Sequence, residues 1–231
     1  MNAATEIWWA RRIRWPAARS NWNTSVVMGE VYAHRTAPGL DLHCASMKGR
    51  SIRHCRLCGA LVTYRLPDDG DTRERAVCPA CGTVHYENPL IVLGTVPYLA
   101  ERVLLCKRAI EPRFGKWTLP AGFMELGESM AEGAARETAE EAGANIRMGE
   151  LFSCMSLPRV GQVHFFYLAE MLDDTLDPGP ETLEARLFME DEVPWEELAF
   201  ATVSETLHRF FADRRKGSFA MHDVDIVLPP K

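Results

Sequence analysis

Three glutamates, at positions 137, 140 and 141, crowd into little more than one helical turn of the segment Gly122-Phe-Met-Glu-Leu-Gly127-Glu128-Ser129-Met-Ala-Glu132-Gly133-Ala-Ala-Arg136-Glu137-Thr138-Ala-Glu140-Glu141-Ala-Gly143. Ser129 followed by Glu132 is a capping-box pair that satisfies the free amides of a starting helix, and Gly143 is a stop signal. A helix over residues 129–142 is expected. At 100° per residue Glu137, Glu140 and Glu141 share one sector, with Ala131, Ala135, Thr138, Ala139 and Ala142 opposite, small enough to lie close on a sheet. Like charges at this spacing weaken a helix, and a bound cation removes the conflict. Oxygen donors of high charge suit Mg²⁺ or Mn²⁺. The competing reading is a solvated acidic face. Gly133, costly inside a helix and on the carboxylate side, argues for space kept clear for a ligand. Arg136 is expected to lie between Glu132 and Glu140.

A second cluster is built from sulfur. Cys55-Arg-Leu-Cys58-Gly and Cys78-Pro-Ala-Cys81-Gly are two knuckles of the kind that gather four thiolates around structural Zn²⁺, with no ligand position left open. Between them 61–66 reads as a strand and 67–71 as a turn. Four unpaired thiols or two disulfides are the competing readings. His54 and His85 flank the knuckles and are expected at the surface. So small a unit has too little core to fold without its metal.

Strands are expected at 90–98, 102–106, 151–157, 162–169 and 183–188. Val203, Leu207, Phe210 and Phe211 mark the apolar stripe of a second helix. Cys106 and Cys154 fall in apolar runs and read as inert buried thiols, and His164 reads as structural. The expected organisation is an extension without evident fold at 1–50, a ribbon at 51–86, a catalytic domain at 87–213 and a loosely packed tail at 214–231. Met47, just ahead of Lys48, is hypothesised to be where translation begins; native peptides upstream of it in a mass spectrum would remove that reading.

Of 231 residues, 47% are hydrophobic and 25% charged, ordinary for a globular protein, and no apolar run reaches membrane-spanning length. Residues 1–50 carry seven Lys/Arg against three Asp/Glu, which leaves 19 against 29 for the remainder. That acidic balance repels a phosphate backbone, so long nucleic acid is not an expected partner. The CxxC pairs without a secretory signal point to a reducing compartment, and the cytoplasm is the expected location.

Gly122, Glu128, Arg136-Glu137, Glu140-Glu141 and Gly143 match every spacing of GX5EX7REUXEEXGU, so the segment resembles the Nudix box, with Thr138 where the family has a bulky aliphatic. The likeness extends over residues 51–212, because a ribbon ahead of the box and the run from Arg108 to Glu125 also resemble one Nudix branch. It implies an α/β (α+β) fold, an αβα sandwich around a mixed β-sheet preceded by a small zinc ribbon. It implies that Glu137, Glu140 and Glu141, with the carbonyl of Ala121, hold Mg²⁺ or Mn²⁺, which acidifies water for attack on a diphosphate phosphorus. Gly122, Glu128, Arg136 and Gly143 would be structural. Glu181 and Glu184 on a later loop are rival candidates for the general base, and Arg108, Phe114 and Trp117 are candidate substrate contacts.

NADH pyrophosphatases carry Trp-Pro-Phe-Pro after the box, whereas this chain has Ser156-Leu-Pro158-Arg-Val-Gly-Gln162. The implied partner is a small nucleotide-derived molecule, ADP-ribose or FAD first, with a homodimer left open. A ribbon that binds nucleic acid, a ligand-sensing regulator, and another specificity of the family such as NADH pyrophosphatase or RNA decapping are the alternatives.

Overall fold

The computed structural model describes residues 52–227. The expectations about the first fifty residues, including initiation at Met47, lie outside the described residues. Strands β1 (Thr63–Arg65), β2 (Arg75–Val77) and β3 (Val84–His85) make a small antiparallel sheet at the cysteine knuckles. His85 is buried there and its Nε2 has no hydrogen-bond partner, so the surface position expected for it is wrong; His54 is exposed.

The second sheet is mixed. It is built from β4 (Leu90–Leu99), β5 (Arg102–Arg108), β6 (Trp117–Thr118), β7 (Ala121–Phe123), β8 (Ile146–Leu157), β9 (Gln162–Met171), β10 (Thr182–Phe188) and β11 (His222–Asp225). Its main path runs β10-β5-β4-β9-β8-β11, with β6 on β5 and β7 on β4. β4 lies parallel to β9 and β11 parallel to β8, and the other pairs are antiparallel.

Helices α1 (Met130–Ala142) and α2 (Ala201–Lys216) cover opposite faces. The alternation along β5 shows it: Val103 and Leu105 pack with Val203, Leu207, Phe210 and Phe211 of α2, while Leu104 and Cys106 pack with Ala142 of α1. The expected αβα sandwich is therefore present, and the stripe read for the second helix is its buried face. None of the described helices is long and apolar enough to cross a membrane.

The tail departs from expectation. α2 ends at Gly217, and the chain returns as β11 on the open edge of β8. Buried Asp213 pins this return by accepting from His222 Nε2 at 2.7 Å and from the Ala220 amide at 3.1 Å. A short segment of alternating charge has no apolar pattern to announce a strand; its backbone pairing and this buried anchor supply the stability.

α1 is also turned relative to expectation. Its buried residues are Gly133, Ala134, Thr138, Glu141 and Ala142, whereas Ala139 is exposed and Ala131 and Ala135 are half-buried. A Cβ on Gly133 would come within 2.6 Å of both Leu93 Cδ1 and Glu128 Oε1. Gly133 thus serves close packing on β4, not clearance for a ligand. Thr138 donates to the Ala134 carbonyl (2.8 Å) and meets Thr95 Oγ1 of β4 at 2.7 Å, both hydroxyls fully buried. The hydroxyl at the usual aliphatic position is matched by a hydroxyl on the strand beneath it.

Thr138→Val strips Thr95 of its partner and should cost about 1–3 kcal/mol, whereas Thr95→Val with Thr138→Val removes both groups and should cost less than the single change. Urea unfolding of the two variants checks this.

Candidate functional site

The site begins with a close approach of backbones. β7 lies on β4 with Gly94 opposite Ala121 and Leu93 opposite Gly122. A Cβ on Gly94 would sit 2.5 Å from Ala121 Cβ and 2.6 Å from Pro120 O; one on Gly122 would sit 2.3 Å from Glu137 Cδ. None of the three distances is sterically allowed; at 94 the neighbour includes backbone, and at 122 a side chain would displace the Glu137 carboxylate from the cradle it occupies against β7.

Arg136 organises the outer half of the cluster. Its Nε and Nη2 each donate to Glu128 at 2.9 Å, Nη1 donates to Glu137 at 2.7 Å and to Glu140 at 3.0 Å, and Nη2 also reaches Phe123 O at 3.2 Å. The partner is Glu128, not Glu132, because Glu132 is committed to its capping box with Ser129. The Arg136 fork, together with the Glu125 amide, holds the Glu128 carboxyl down to about 2.

The inner half lacks such a counter-charge. Glu141 is only 7% exposed and its Oε2 accepts from the Ala121 amide at 3.1 Å. Burial pushes its carboxyl up to about 7, helped by the charges of Glu137 and Glu181, against the amide bond and Arg108. Glu137 is also raised, by burial first and against its ion pair with Arg136, with Glu140 and Glu181 adding to the rise. Glu137 and Glu140 gather on the Arg136 guanidinium, while Glu141 stands apart on the Ala121 amide. Two desolvated carboxylates facing further negative charge form a hard-oxygen donor set, and a divalent cation would relieve their repulsion. Their donor type and charge suit a hard divalent cation, although the three glutamate side chains as they stand do not converge on one point, the four cysteines being the one such cluster among the described residues.

The later loop separates the two candidate bases. Glu181 lies close enough for its charge to act on Glu137, Glu141 and Arg108. Glu184 is exposed on β10, in register with Lys107. Arg108 lies within reach of the cluster's charge: burial lowers its guanidinium, Glu141 and Glu181 oppose that, the group stacks on Phe200 at 5.2 Å, and Nε donates to Pro112 O. Phe114 is 57% exposed on the adjoining loop. Trp117 is 6% exposed and set edge-on to Phe188 at 4.9 Å in the main core, a packing position. Phe200, the platform for Arg108, had no signal in sequence because it directly precedes α2 and reads as core.

Cys106 is buried as expected and Cys154 only half-buried. His164 is buried, bonded to Gln162 at 2.9 Å and lowered by burial to about 4, consistent with a structural role.

In the small sheet, the ligand sulfurs of Cys55, Cys58, Cys78 and Cys81 all lie within 4.8 Å of one another. Cys55 to Cys81 is 3.7 Å and Cys58 to Cys78 is 3.5 Å. A tetrahedron with Zn–S near 2.3 Å has edges of about 3.8 Å, so the sulfurs already sit where Zn²⁺ needs them. The thiols are free, which leaves no disulfide among them. The Thr83 hydroxyl and amide draw the Cys81 thiol down to about 6, toward the thiolate a metal requires.

Two measurements follow from this geometry. Between the ordinary carboxyl value of 4.5 and about 7 the folded chain keeps a proton on Glu141 that the unfolded chain has lost. Stability of protein freed of Mg²⁺ should therefore fall as pH rises through that window, and added Mg²⁺ should raise Tm more at pH 8 than at pH 6. Glu141→Gln should flatten the first dependence in thermal melts. For the ribbon, native mass spectrometry should find one Zn²⁺ per chain, lost in Cys78→Ser.

Comparisons with known proteins agree with the geometry. The NUDIX domain model matches residues 91–212, and the Nudix N-terminal zinc-ribbon model matches residues 53–87. The NAD-capped RNA hydrolase NudC of Stutzerimonas stutzeri is 34% identical over 65% of this chain and 54% of that protein, so the chain spans about half the length of such a relative. An ADP-ribose pyrophosphatase of Methanocaldococcus jannaschii is 29% identical over 50% of this chain and 69% of that one. Among solved structures, a Nudix hydrolase from Nitrosomonas europaea shares 45% identity, with a TM-score of 0.71 over 76% of this chain and all of that one. A family model spanning residues 91–212 and a carboxylate helix packed as described together establish that the chain belongs to the Nudix hydrolase family.

Proposed function

We propose that the chain hydrolyses the diphosphate linkage of a nucleoside diphosphate joined to a second group, with ADP-ribose or FAD as the first candidates. The observation that carries this reading is the pair of desolvated carboxylates, Glu137 and Glu141, with a third, Glu181, facing them from another element. Glu137, Glu140 and Glu141, with the Ala121 carbonyl, would hold Mg²⁺ or Mn²⁺, which supplies charge neutralisation at the phosphate oxygens and lowers the pKa of water. Glu181 takes the proton of the attacking water. Arg108, fixed on Phe200, draws phosphate into the site, and Glu128 with Arg136 keeps the carboxylates apart and oriented. Phe114, exposed beside Arg108, offers a face to the base or sugar. No covalent enzyme intermediate is needed. The four cysteines hold Zn²⁺ in a structural role.

The preference for ADP-ribose draws on the archaeal relative and on the absence of Trp-Pro-Phe-Pro, in whose place the turn between β8 and β9 carries Pro158-Arg-Val-Gly161. A second reading is favoured by the bacterial relatives named for NAD-capped RNA. Their names remove the ground on which nucleic acid was set aside: an acidic surface disfavours a long backbone, but a nucleotide cap held through a cation is not read through surface charge.

ADP-ribose, FAD, NADH and a short RNA with a 5′ NAD cap, each incubated with Mg²⁺ or Mn²⁺, should give AMP or 5′-phosphorylated RNA, resolved by chromatography, fastest from ADP-ribose or FAD. Glu137→Gln and Glu141→Gln should lower turnover about 100-fold or more, as should Glu181→Gln, while Glu184→Gln stays near the parent. Survival of every substrate would overturn the assignment, and preferential cleavage of capped RNA would install the second reading.

A further inference from the structure

The loop that delivers Glu181 is drawn unusually tightly over the end of α1. A Cβ on Gly179 would stand 2.1 Å from the carbonyl oxygen of Glu140 and 3.2 Å from its carbon. That neighbour is helix backbone and has no rotamer by which to yield. Gly179 is not among the residues with positive φ. Glycine is therefore required by space and not by backbone conformation. Pro178 and Pro180 flank it and restrict the chain on either side.

The strap is pinned at both ends of this contact. The Asp177 amide donates to Ala142 O at 2.9 Å, and Leu176 packs into the apolar cluster of Cys106, Ala142 and Met171. Beyond the glycine, the Thr182 amide closes a turn onto Gly179 O at 3.0 Å, and the Ala109 amide holds Glu181 O at 2.8 Å. Glu181 sits inside that turn, between the contact with Glu140 and the register pair of Thr182 with Arg108.

We propose that Gly179 is a positioning residue: its missing side chain lets residues 176–181 close onto the Glu140 backbone and thereby sets Glu181 at its working distance from Glu137 and Glu141. The inference rests on the reading of Glu181 as the proton acceptor. The same peptide that carries one metal-binding glutamate thus gauges the separation of the base from the cluster. A methyl group at 179 forces the strap back by roughly an ångström, and a misplacement of that size costs about 100-fold in rate.

The test is a double-mutant cycle on full-length protein, using whichever substrate of the panel is turned over fastest. Gly179→Ala should lower kcat about 100-fold with KM changed by less than about threefold, because the phosphate contacts stay in place. Placed on Glu181→Gln, the same change should cost less than about twofold more, since a displaced base that cannot accept a proton has nothing further to lose. Leu176→Ala, which loosens the strap without crowding it, should lower kcat about tenfold and show the same non-additivity, and it serves if Gly179→Ala melts below the assay temperature. Parental kcat in Gly179→Ala, or an equal loss with and without Glu181→Gln, would overturn the positioning role while leaving Glu181 as base. Full activity of Glu181→Gln would remove the base reading itself and the inference with it, as would a parent inert toward every substrate.

Discussion

Everything at the site depends on pressing carboxylates of α1 against a sheet that offers them few hydrogen bonds. A charged oxygen loses several kcal/mol on leaving water unless something replaces its solvation. At Glu128 the replacement is complete: the Arg136 fork and the Glu125 amide hold it ionised. At Glu141 it is one amide bond, and the carboxyl sits near 7. The carboxylates thus grade from satisfied at Glu128, just ahead of the helix, to unsatisfied at Glu141, near its end. On the proposed reading, the unsatisfied end is where a divalent cation would gain most by binding.

Much of this was legible in sequence because it follows from local rules. The capping box and the glycine stop placed α1 within a residue of its observed bounds, and strong apolar runs placed β4, β9 and β10 nearly as well. The cysteine knuckles were legible for the same reason, since a metal fixes ligand spacing along the chain. What sequence could not supply was rotation about the helix axis. A wheel groups Glu137, Glu140 and Glu141, but only the sheet decides that two of them point inward while Ala139 faces water. Assigning the small residues to the buried face holds for Thr138 and Ala142 and fails at Ala139, because Glu141 is buried in its stead, against hydropathy.

The same limit explains Trp117, Gly133 and the C-terminal strand. Each reading depended on an element far away in sequence: Phe188 beneath the tryptophan, Leu93 beneath the glycine, the open edge of β8 beside residues 222–225. Glu181 and Glu184, equal candidates by type and position, lie on either side of a register shift between Thr182 and Glu184: the charge of Glu181 acts on Glu137 and Glu141, and Glu184 stands opposite Lys107. A one-residue irregularity of this kind leaves no pattern in a single sequence.

Glycines carry the geometry that the acids exploit. At 94 and 122 a missing Cβ brings β7 and the Glu137 carboxylate against backbone; at 133 it brings the helix onto Leu93; at 179 it brings the later loop onto Glu140. All four act by close approach, and none is among the positive-φ residues. At 94 and 179 the neighbour is backbone, Pro120 O and Glu140 O, and such a contact has a fixed length, whereas at 122 and 133 the neighbours are the side chains of Glu137, Glu128 and Leu93. Catalysis by several oxygens on different elements requires separations held to a fraction of an ångström. On the proposed reading, setting separations with peptide groups at 94 and 179 would leave Glu137 and Glu140 free to exchange Arg136 for a cation without disturbing the frame that aims them.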